Sequence, residues 1–248
     1  MKILGIIPAR YASTRFPGKP LTLIDGKPMI RHVYERAIQA KSLTEVYVAT
    51  DDKRIEDTVL GFGGKTIMTS DKARSGTDRC MEAVEILEKQ NKFFDVVINV
   101  QGDEPYIHPE QIDLTASCFS DPKVNIATLA IKLKSEEELF NPNIIRVVFD
   151  VHKKALYFSR NPIPFVRNFE KKDWLANHQY YKHIGIYAYR PTILRQITLL
   201  ETSPLEHAES LEQLRWLENG YPIHVEITEF ESIAVDTPDD LLKFLNKT

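Results

Sequence analysis

Hydrophobic positions open the chain as a nearly unbroken run, Ile3 to Ile7, that stops at Pro8 and gives way to a loop carrying Arg10, Ser13, Thr14, Arg15 and Lys19. A short run with no polar alternation predicts a strand buried on both faces, the habit of a parallel sheet. Further on, Ile30, Val33, Tyr34, Ala37 and Ile38 recur at helical spacing behind Pro28, which suits a first helical turn. Glu45 to Ala49 predicts a second strand. Ile55, Val59 and Leu60 predict a short helix stopped by Gly61 and Gly63-Gly64, and Lys65 to Met68 a third strand. A polar loop from Ser70 to Arg79 leads into a helix with Cys80, Val84 and Leu87 inward, and Asp95 to Val100 predicts a fourth strand ending in Gln101-Gly102-Asp103-Glu104-Pro105. Strands alternating with helices in this way imply successive right-handed crossovers in a parallel sheet.

Beyond residue 105 the rhythm changes. Ile126 to Leu133 reads as a strand, and Ile144–Phe149 with Ala155–Phe158 reads as an antiparallel hairpin around Asp150 to Lys154. Asn161 to Asp173 is irregular, and Trp174 to Tyr181 is polar and aromatic. Residues 182–190 alternate His183, Gly185, Tyr187 and Tyr189 against Ile184, Ile186 and Ala188. A helix is expected from Ser203, whose Ser-Pro-Leu-Glu start is a capping box, through Glu218 to a stop at Gly220. Its stripe of Leu205, Ala208, Leu211, Leu214 and Leu217 serves the core, and Trp216 on another face suits a dimer contact. Strands at 223–227 and 233–235 follow, the second delivering Asp236 before Thr237-Pro238-Asp239-Asp240 caps a last helix. The expected organisation is one domain, 1–248, with a lid or dimerisation excursion around 135–220.

The 248 residues suffice for such a domain, and 43% hydrophobic with 27% charged residues is ordinary for a globular protein. A net charge of -3 argues against general nucleic-acid binding, so positive charge gathered in one loop calls for a local reason. Cys80 and Cys118 match no metal spacing and read as core thiols. No leader pattern and no bilayer-length apolar segment are seen, and the expectation is a cytoplasmic protein with no membrane partner.

Ligands of open α/β sheets bind beyond the carboxyl ends of the strands, so cations directly after the first strand point to an anionic ligand, a polyphosphate being the obvious one. The loop is neither Gly-x-Gly-x-x-Gly nor Gly-x-x-x-x-Gly-Lys-Ser/Thr, which supports neither a dinucleotide fold nor a P-loop. Asp103 and Asp236 both sit at predicted strand ends. Each alone is an ordinary turn or cap residue; together at one sheet edge with the cations they suit Mg2+, which takes one or two protein carboxylates and completes its shell with phosphate and water oxygens. Glu104 and Asp78 remain open as supporting or plain surface acids.

Several blocks then carry a resemblance: Ile7-Pro8-Ala9-Arg10-Tyr11-Ala12-Ser13-Thr14-Arg15-Phe16-Pro17-Gly18-Lys19-Pro20, Ser75-Gly76-Thr77-Asp78-Arg79, Asn99 to Pro105, Ala155 to Arg160, His183-Ile184-Gly185-Ile186-Tyr187, Leu211-Glu212-Gln213-Leu214-Arg215 and Val235-Asp236-Thr237-Pro238. In this order they resemble the 3-deoxy-manno-octulosonate (Kdo) cytidylyltransferases, the CMP-Kdo synthetases of lipopolysaccharide biosynthesis. The first block is shared with other sugar nucleotidyltransferases; the His-Ile-Gly-Ile-Tyr and Glu-Gln-Leu-Arg blocks are more specific. The resemblance implies an α/β fold, a Rossmann-like nucleotidyltransferase with a mixed, mostly parallel sheet, helices on both faces and a smaller antiparallel part. It implies CTP and Kdo as substrates, Mg2+ as cofactor and a homodimer. It assigns Pro8, Ala9, Arg10, Ser13, Arg15, Lys19, Ser75, Arg79 and Gln101 to the nucleotide, and Asp103 and Asp236 to the metal. Gln101, Arg160, His183, Tyr187, Glu212 and Gln213 go to the sugar, and Arg10, Lys19, Asp103 and Asp236 to catalysis. An 8-amino-Kdo or sialate enzyme shares the first blocks, and a non-catalytic nucleotide-binding regulator would need only the cations.

Overall fold

The computed structural model describes residues 1–12, 16–231, 235 and 240. Strand β1 (Ile3–Ala9) is buried throughout except for Pro8. Successive side chains leave a strand on opposite faces, and here Ile3, Ile7 and Ala9 enter one hydrophobic core while Leu4 and Ile6 enter another. Full burial of each Ile or Leu here stabilises by about 1.5–3 kcal/mol, so the strand has no face to spare for a polar group. Between these side chains Gly5 lets Leu43 come close, since a Cβ at residue 5 would lie 2.8 Å from Leu43 Cδ1.

The chain then makes a small ribbon, β2 (Leu23–Ile24) with β3 (Lys27–Pro28), turning through Asp25 and Gly26 at φ 48° and 76°. Both left-handed values suit a two-residue Asp-Gly hairpin turn. Helix α1 (Met29–Ala37), β4 (Glu45–Thr50), α2 (Lys53–Gly61), β5 (Thr66–Met68), α3 (Gly76–Lys89) and β6 (Val96–Asn99) follow in alternation. Among the described residues β5, β4, β1 and β6 are mutually parallel. Helices α1 and α2 contribute Ile30, Val33, Ile55 and Val59 to the first core, and α3 contributes Cys80, Val84 and Leu87 to the second, so the sheet is covered on both sides.

After α4 (Pro109–Ser117) come β7 (Ile126–Lys132), α5 (Glu136–Phe140), β8 (Arg146–Phe149), β9 (Ala155–Ser159), α6 (Trp174–Asn177), β10 (Tyr181–Tyr189), α7 (Pro191–Thr198), α8 (Pro204–Glu209), α9 (Glu212–Glu218) and β11 (His224–Ile227). The sheet runs β11-β7-β10-β6-β1-β4-β5, with the β8–β9 hairpin joined to β10. Strand β10 is antiparallel to both β6 and β7, which makes the sheet mixed. Its alternation holds: Ile184, Ile186 and Ala188 face one core, Tyr187 and Tyr189 the other.

The single helix expected over 203–218 is two. Ser203 and Glu206 form the capping box, but Ser210 turns left-handed at φ 53° and ends α8. The fork of Arg215 then folds back onto Glu206 at 2.7 and 2.8 Å, and holds α9 against α8. The apolar stripe breaks accordingly, with Leu205 and Ala208 exposed and Leu211 and Leu214 buried. Trp216 is 1% exposed, edge-on to Tyr187 and Tyr189, and so belongs to the core rather than to an outer dimer face.

One charged group holds the hairpin in place. The fully buried guanidinium of Arg146 donates to the carbonyls of Glu138, Asn141 and Arg160 at 2.6–2.8 Å and also to those of Leu139 and Ile144. It thereby closes the carboxyl end of α5 onto the entrance of β8 and the exit of β9. His183, buried beside Thr128 at 2.9 Å, has its pKa lowered to about 3 by desolvation.

Replacing Arg146 by Met leaves five carbonyls without their donor and is expected to cost about 3–5 kcal/mol in urea unfolding, with Arg146→Lys recovering less than half; an unchanged midpoint contradicts the assignment. The second expectation concerns pH. Between pH ~6.5 and ~3 the unfolded chain protonates residue 183 and the folded chain does not, so the stability this neutral group confers is complete above 6.5 and falls by about 1.4 kcal/mol per unit below it. In unfolding curves at pH 7, 6 and 5, His183→Gln should lack that component, and a wild-type-to-variant difference constant across the series would refute it.

Candidate nucleotide cleft

Three chain segments meet beyond the carboxyl ends of β1 and β6. The first is Pro8, Ala9 and Arg10, where β1 leaves its two cores. The second is the start of α3, where Ser75 caps the helix by accepting the Asp78 N–H. The third is Gln101-Gly102-Asp103, directly after β6. Lys19 and Pro20 come in from a single 3-10 turn, Lys19–Leu21, entered through Gly18 at φ 71°. Together these segments line a cleft of about 210 Å3.

Close backbone approach shapes this cleft. A Cβ on Gly102 would lie 2.6 Å from Pro8 O, and one on Gly76 would lie 3.3 Å from Pro8 Cγ. Only glycine lets the β6 exit slide under the β1 exit, the reason such residues recur where two strand ends must touch.

The charges are ordered. Lys19 Nζ donates to Asp103 Oδ2 at 2.8 Å, with both side chains partly buried. Arg10 is exposed at the rim. Arg79, 3% exposed, spends its guanidinium on Asp51 at 3.3 Å and on Thr69, so it buttresses the wall more than it projects from it. Arg74 reaches the same wall while pairing with Asp78 at 3.2 Å. The amide end of the fourteen-residue α3 also opens here, where partial positive charge favours an anion.

Behind Ser75 lies a second polar layer. Glu212, at the first turn of α9, accepts the Ser75 hydroxyl at 2.9 Å and the Thr77 hydroxyl at 2.8 Å, and burial raises its pKa. Gln101 Nε2 donates to the Gly185 carbonyl at 2.7 Å, which ties the cleft floor to β10. Beyond these, the buried Tyr187 hydroxyl and Gln213 Nε2 find no hydrogen-bond partner among the described residues. Buried polar atoms left unmatched cost about 1–3 kcal/mol each, and a polar ligand is one way of meeting them.

Of the sequence-derived candidates, Pro8, Ala9, Arg10, Lys19, Ser75, Arg79, Gln101 and Asp103 line one cleft. Glu212 stands one hydroxyl behind it. Tyr187, Gln213 and His183 lie deeper, His183 with its Nε2 at the Thr128 hydroxyl. Arg160 lies apart from this wall: its guanidinium is taken up by the carbonyls of Pro142, Glu209 and Ser210, so here it fixes the α8–α9 corner. Ser13, Arg15 and Asp236 lie outside the described residues. Val235, immediately before Asp236 in sequence, is fully buried and donates its N–H to the Asp103 carbonyl at 2.9 Å. Sequence reasoning missed Pro20, Ala73, Arg74, Gly76 and Gly102 as lining residues; a glycine directly after a capping serine or at a strand exit was the available signal.

The cytidylyltransferase family profile matches residues 4–233. A 3-deoxy-manno-octulosonate cytidylyltransferase from Cytophaga hutchinsonii is 57% identical over 244 residues, covering 98% of this chain and 96% of that one. One of the same description from Parabacteroides distasonis is 55% identical, covering 99% and 97%. A solved CMP:2-keto-3-deoxy-manno-octonic acid synthetase complexed with CTP superposes with a TM-score of 0.90 at 44% identity, covering 100% of this chain and 98% of that one. A Leptospira borgpetersenii cytidylyltransferase, at 16% identity and a TM-score of 0.59, shares the fold alone. Matched along nearly its whole length, this chain belongs to the cytidylyltransferases, in the family of the 3-deoxy-manno-octulosonate enzymes.

Proposed function

We propose that the protein activates Kdo with CTP, yielding CMP-Kdo and pyrophosphate. The observation that carries this reading is the Lys19–Asp103 pair at the mouth of a cleft built from the β1 and β6 exits and the amide end of α3. In the proposed reaction the anomeric hydroxyl oxygen of the sugar bonds to the α-phosphorus, the bond from that phosphorus to the bridging oxygen breaks, and pyrophosphate departs with that electron pair. The hydroxyl proton passes to solvent. Chemistry of this kind asks the protein for alignment and charge neutralisation more than for a covalent group.

Arg10 and Lys19, with Ser13 and Arg15 of the same loop, hold the triphosphate; Pro8, Ala9, Ser75, Arg79 and Gln101 shape the nucleoside side. The sugar acid lies toward Glu212, Gln213, Tyr187 and His183; Arg160 would have to leave the three carbonyls that hold it at the α8–α9 corner to meet the sugar carboxylate. The unmatched Tyr187 hydroxyl and Gln213 Nε2 support a hydroxyl-rich ligand on that side. His183 works as a neutral imidazole, because its depressed pKa leaves no charge near pH 7.

Asp103 and Asp236 would hold Mg2+. The fit is supported by Asp103 itself, a partly exposed oxygen donor already facing one cation, Lys19, at 2.8 Å. When bound, the ion neutralises phosphate oxygens. The same reading makes the protein a cytoplasmic homodimer that supplies lipopolysaccharide biosynthesis. Among the described residues no helix is long and apolar enough to cross a membrane.

In a pyrophosphate-release assay with CTP and a panel of Kdo, 8-amino-Kdo and sialic acid, Kdo is expected to give the highest kcat/KM; preference for another acid reassigns the sugar, and silence with all three overturns the enzyme reading. Asp103→Asn is expected to keep the wild-type circular dichroism and lose at least about 100-fold in kcat with Kdo. Turnover within about threefold of wild type would remove Asp103 from the metal site.

A further inference from the structure

Three donor groups of different chemistry converge at the β11 edge of the sheet, three strands beyond β6. His224 and Glu226 are two residues apart on β11 and so project from the same face of that edge strand. Opposite them, at the end of α4, stands Cys118, 8% exposed. One ligand atom from each residue lies within 4.8 Å of the others, and His224 Nε2 is 3.7 Å from Glu226 Oε2. That separation is too long for a hydrogen bond but close to the edge of a tetrahedron around a metal, about 3.4–3.7 Å for ligands at the usual zinc distances.

The carboxylate is also pre-oriented. Glu226 Oε1 accepts the Ile227 N–H at 3.0 Å and the Lys153 ammonium, which leaves Oε2 turned toward the imidazole. An outer partner fixing the far oxygen of a carboxylate is what metal sites commonly use to orient a ligand. Among the described residues the Cys118 thiol makes a weak 3.5 Å contact to the Leu114 carbonyl.

We propose that Cys118, His224 and Glu226 form a zinc site, closed by water in the fourth position, that fastens the edge strand β11 to the end of α4. A thiolate, an imidazole and a carboxylate together select zinc over the hard ions Mg2+ and Ca2+. Binding replaces the thiol proton, which leaves to solvent, and gives the cluster two negative ligands against the ion and the Lys153 charge. The site is separate from the nucleotide cleft, so its role is to brace the end of the sheet, where the 153–155 segment already pairs with the outer side of β11 through the Val225 N–H to Lys153 and the Ala155 N–H to Ile223.

The test uses the full chain, freed of metal by chelator and desalted, without CTP or Mg2+, and titrated with Co2+ as a spectroscopic stand-in. Wild type is expected to develop a thiolate-to-cobalt charge-transfer band saturating at one equivalent and abolished by Zn2+ displacement. Cys118→Ser should lose the band while keeping its metal-free melting temperature, and His224→Gln, at a half-exposed position, should weaken Co2+ binding at least about tenfold. Both variants should release pyrophosphate at the wild-type rate. Absence of the band in folded wild type overturns the proposal, as does its persistence in Cys118→Ser. If Cys118→Ser fails to fold, unchanged Co2+ affinity in His224→Gln overturns it.

Discussion

Burial of β1 on both faces is the constraint from which the arrangement of charge follows. Ile3, Leu4, Ile6, Ile7 and Ala9 are each at most 4% exposed and divide between two cores, so no ionised group can sit along the strand without a large desolvation cost. Charge therefore collects where the strand stops. At that point Lys19 and Asp103, 84 positions apart in sequence, satisfy one another at 2.8 Å, and Val235 secures the Asp103 backbone from a third segment. A pair of this kind at a half-open cleft contributes little to stability; in the proposed function its value is in holding opposite charges ready for the triphosphate.

Several buried polar groups in the second half of the chain are fixed by specific contacts. Arg146 is charged and fully buried, with its hydrogen bonds spread over backbone carbonyls. Glu212 is held by two hydroxyls from the first turn of α3 and backed by Arg215 at 3.6 Å, which itself grips Glu206. These contacts join α3, α8 and α9 behind Ser75. The Tyr187 hydroxyl and Gln213 amide, without a partner among the described residues, belong to the same wall, a cost that a hydroxyl-bearing ligand would offset.

Much of this was legible in the chain. The uninterrupted run at Ile3–Ile7, the helical spacing of Ile30 to Ala37, the hairpin around Asp150 and the Ser203 capping box are local signals, and the local structures follow them. Gathering of Pro8, Ala9, Arg10, Lys19, Ser75, Arg79, Gln101 and Asp103 in one cleft was readable because strand ends share one sheet edge. Other features depend on contacts no local pattern carries. The break at Ser210 is set by a left-handed residue and by Arg215 reaching back to Glu206, while the hydrophobic stripe ran straight through it. Trp216 looked outward on a helical projection, and turned inward once that helix was split. The Gly76 and Gly102 contacts with Pro8 appear only when two strand exits are laid against one another.

The central claim is that cations of the β1 loop and the carboxylate after β6 face one triphosphate. A crystal structure of this chain with CTP and Mg2+ tests it most directly. The account predicts phosphate oxygens within hydrogen-bond distance of Arg10 and Lys19, with the ion on Asp103. A nucleotide bound elsewhere, or a triphosphate in the cleft with the Lys19–Asp103 pair intact and no ion on Asp103, would contradict it.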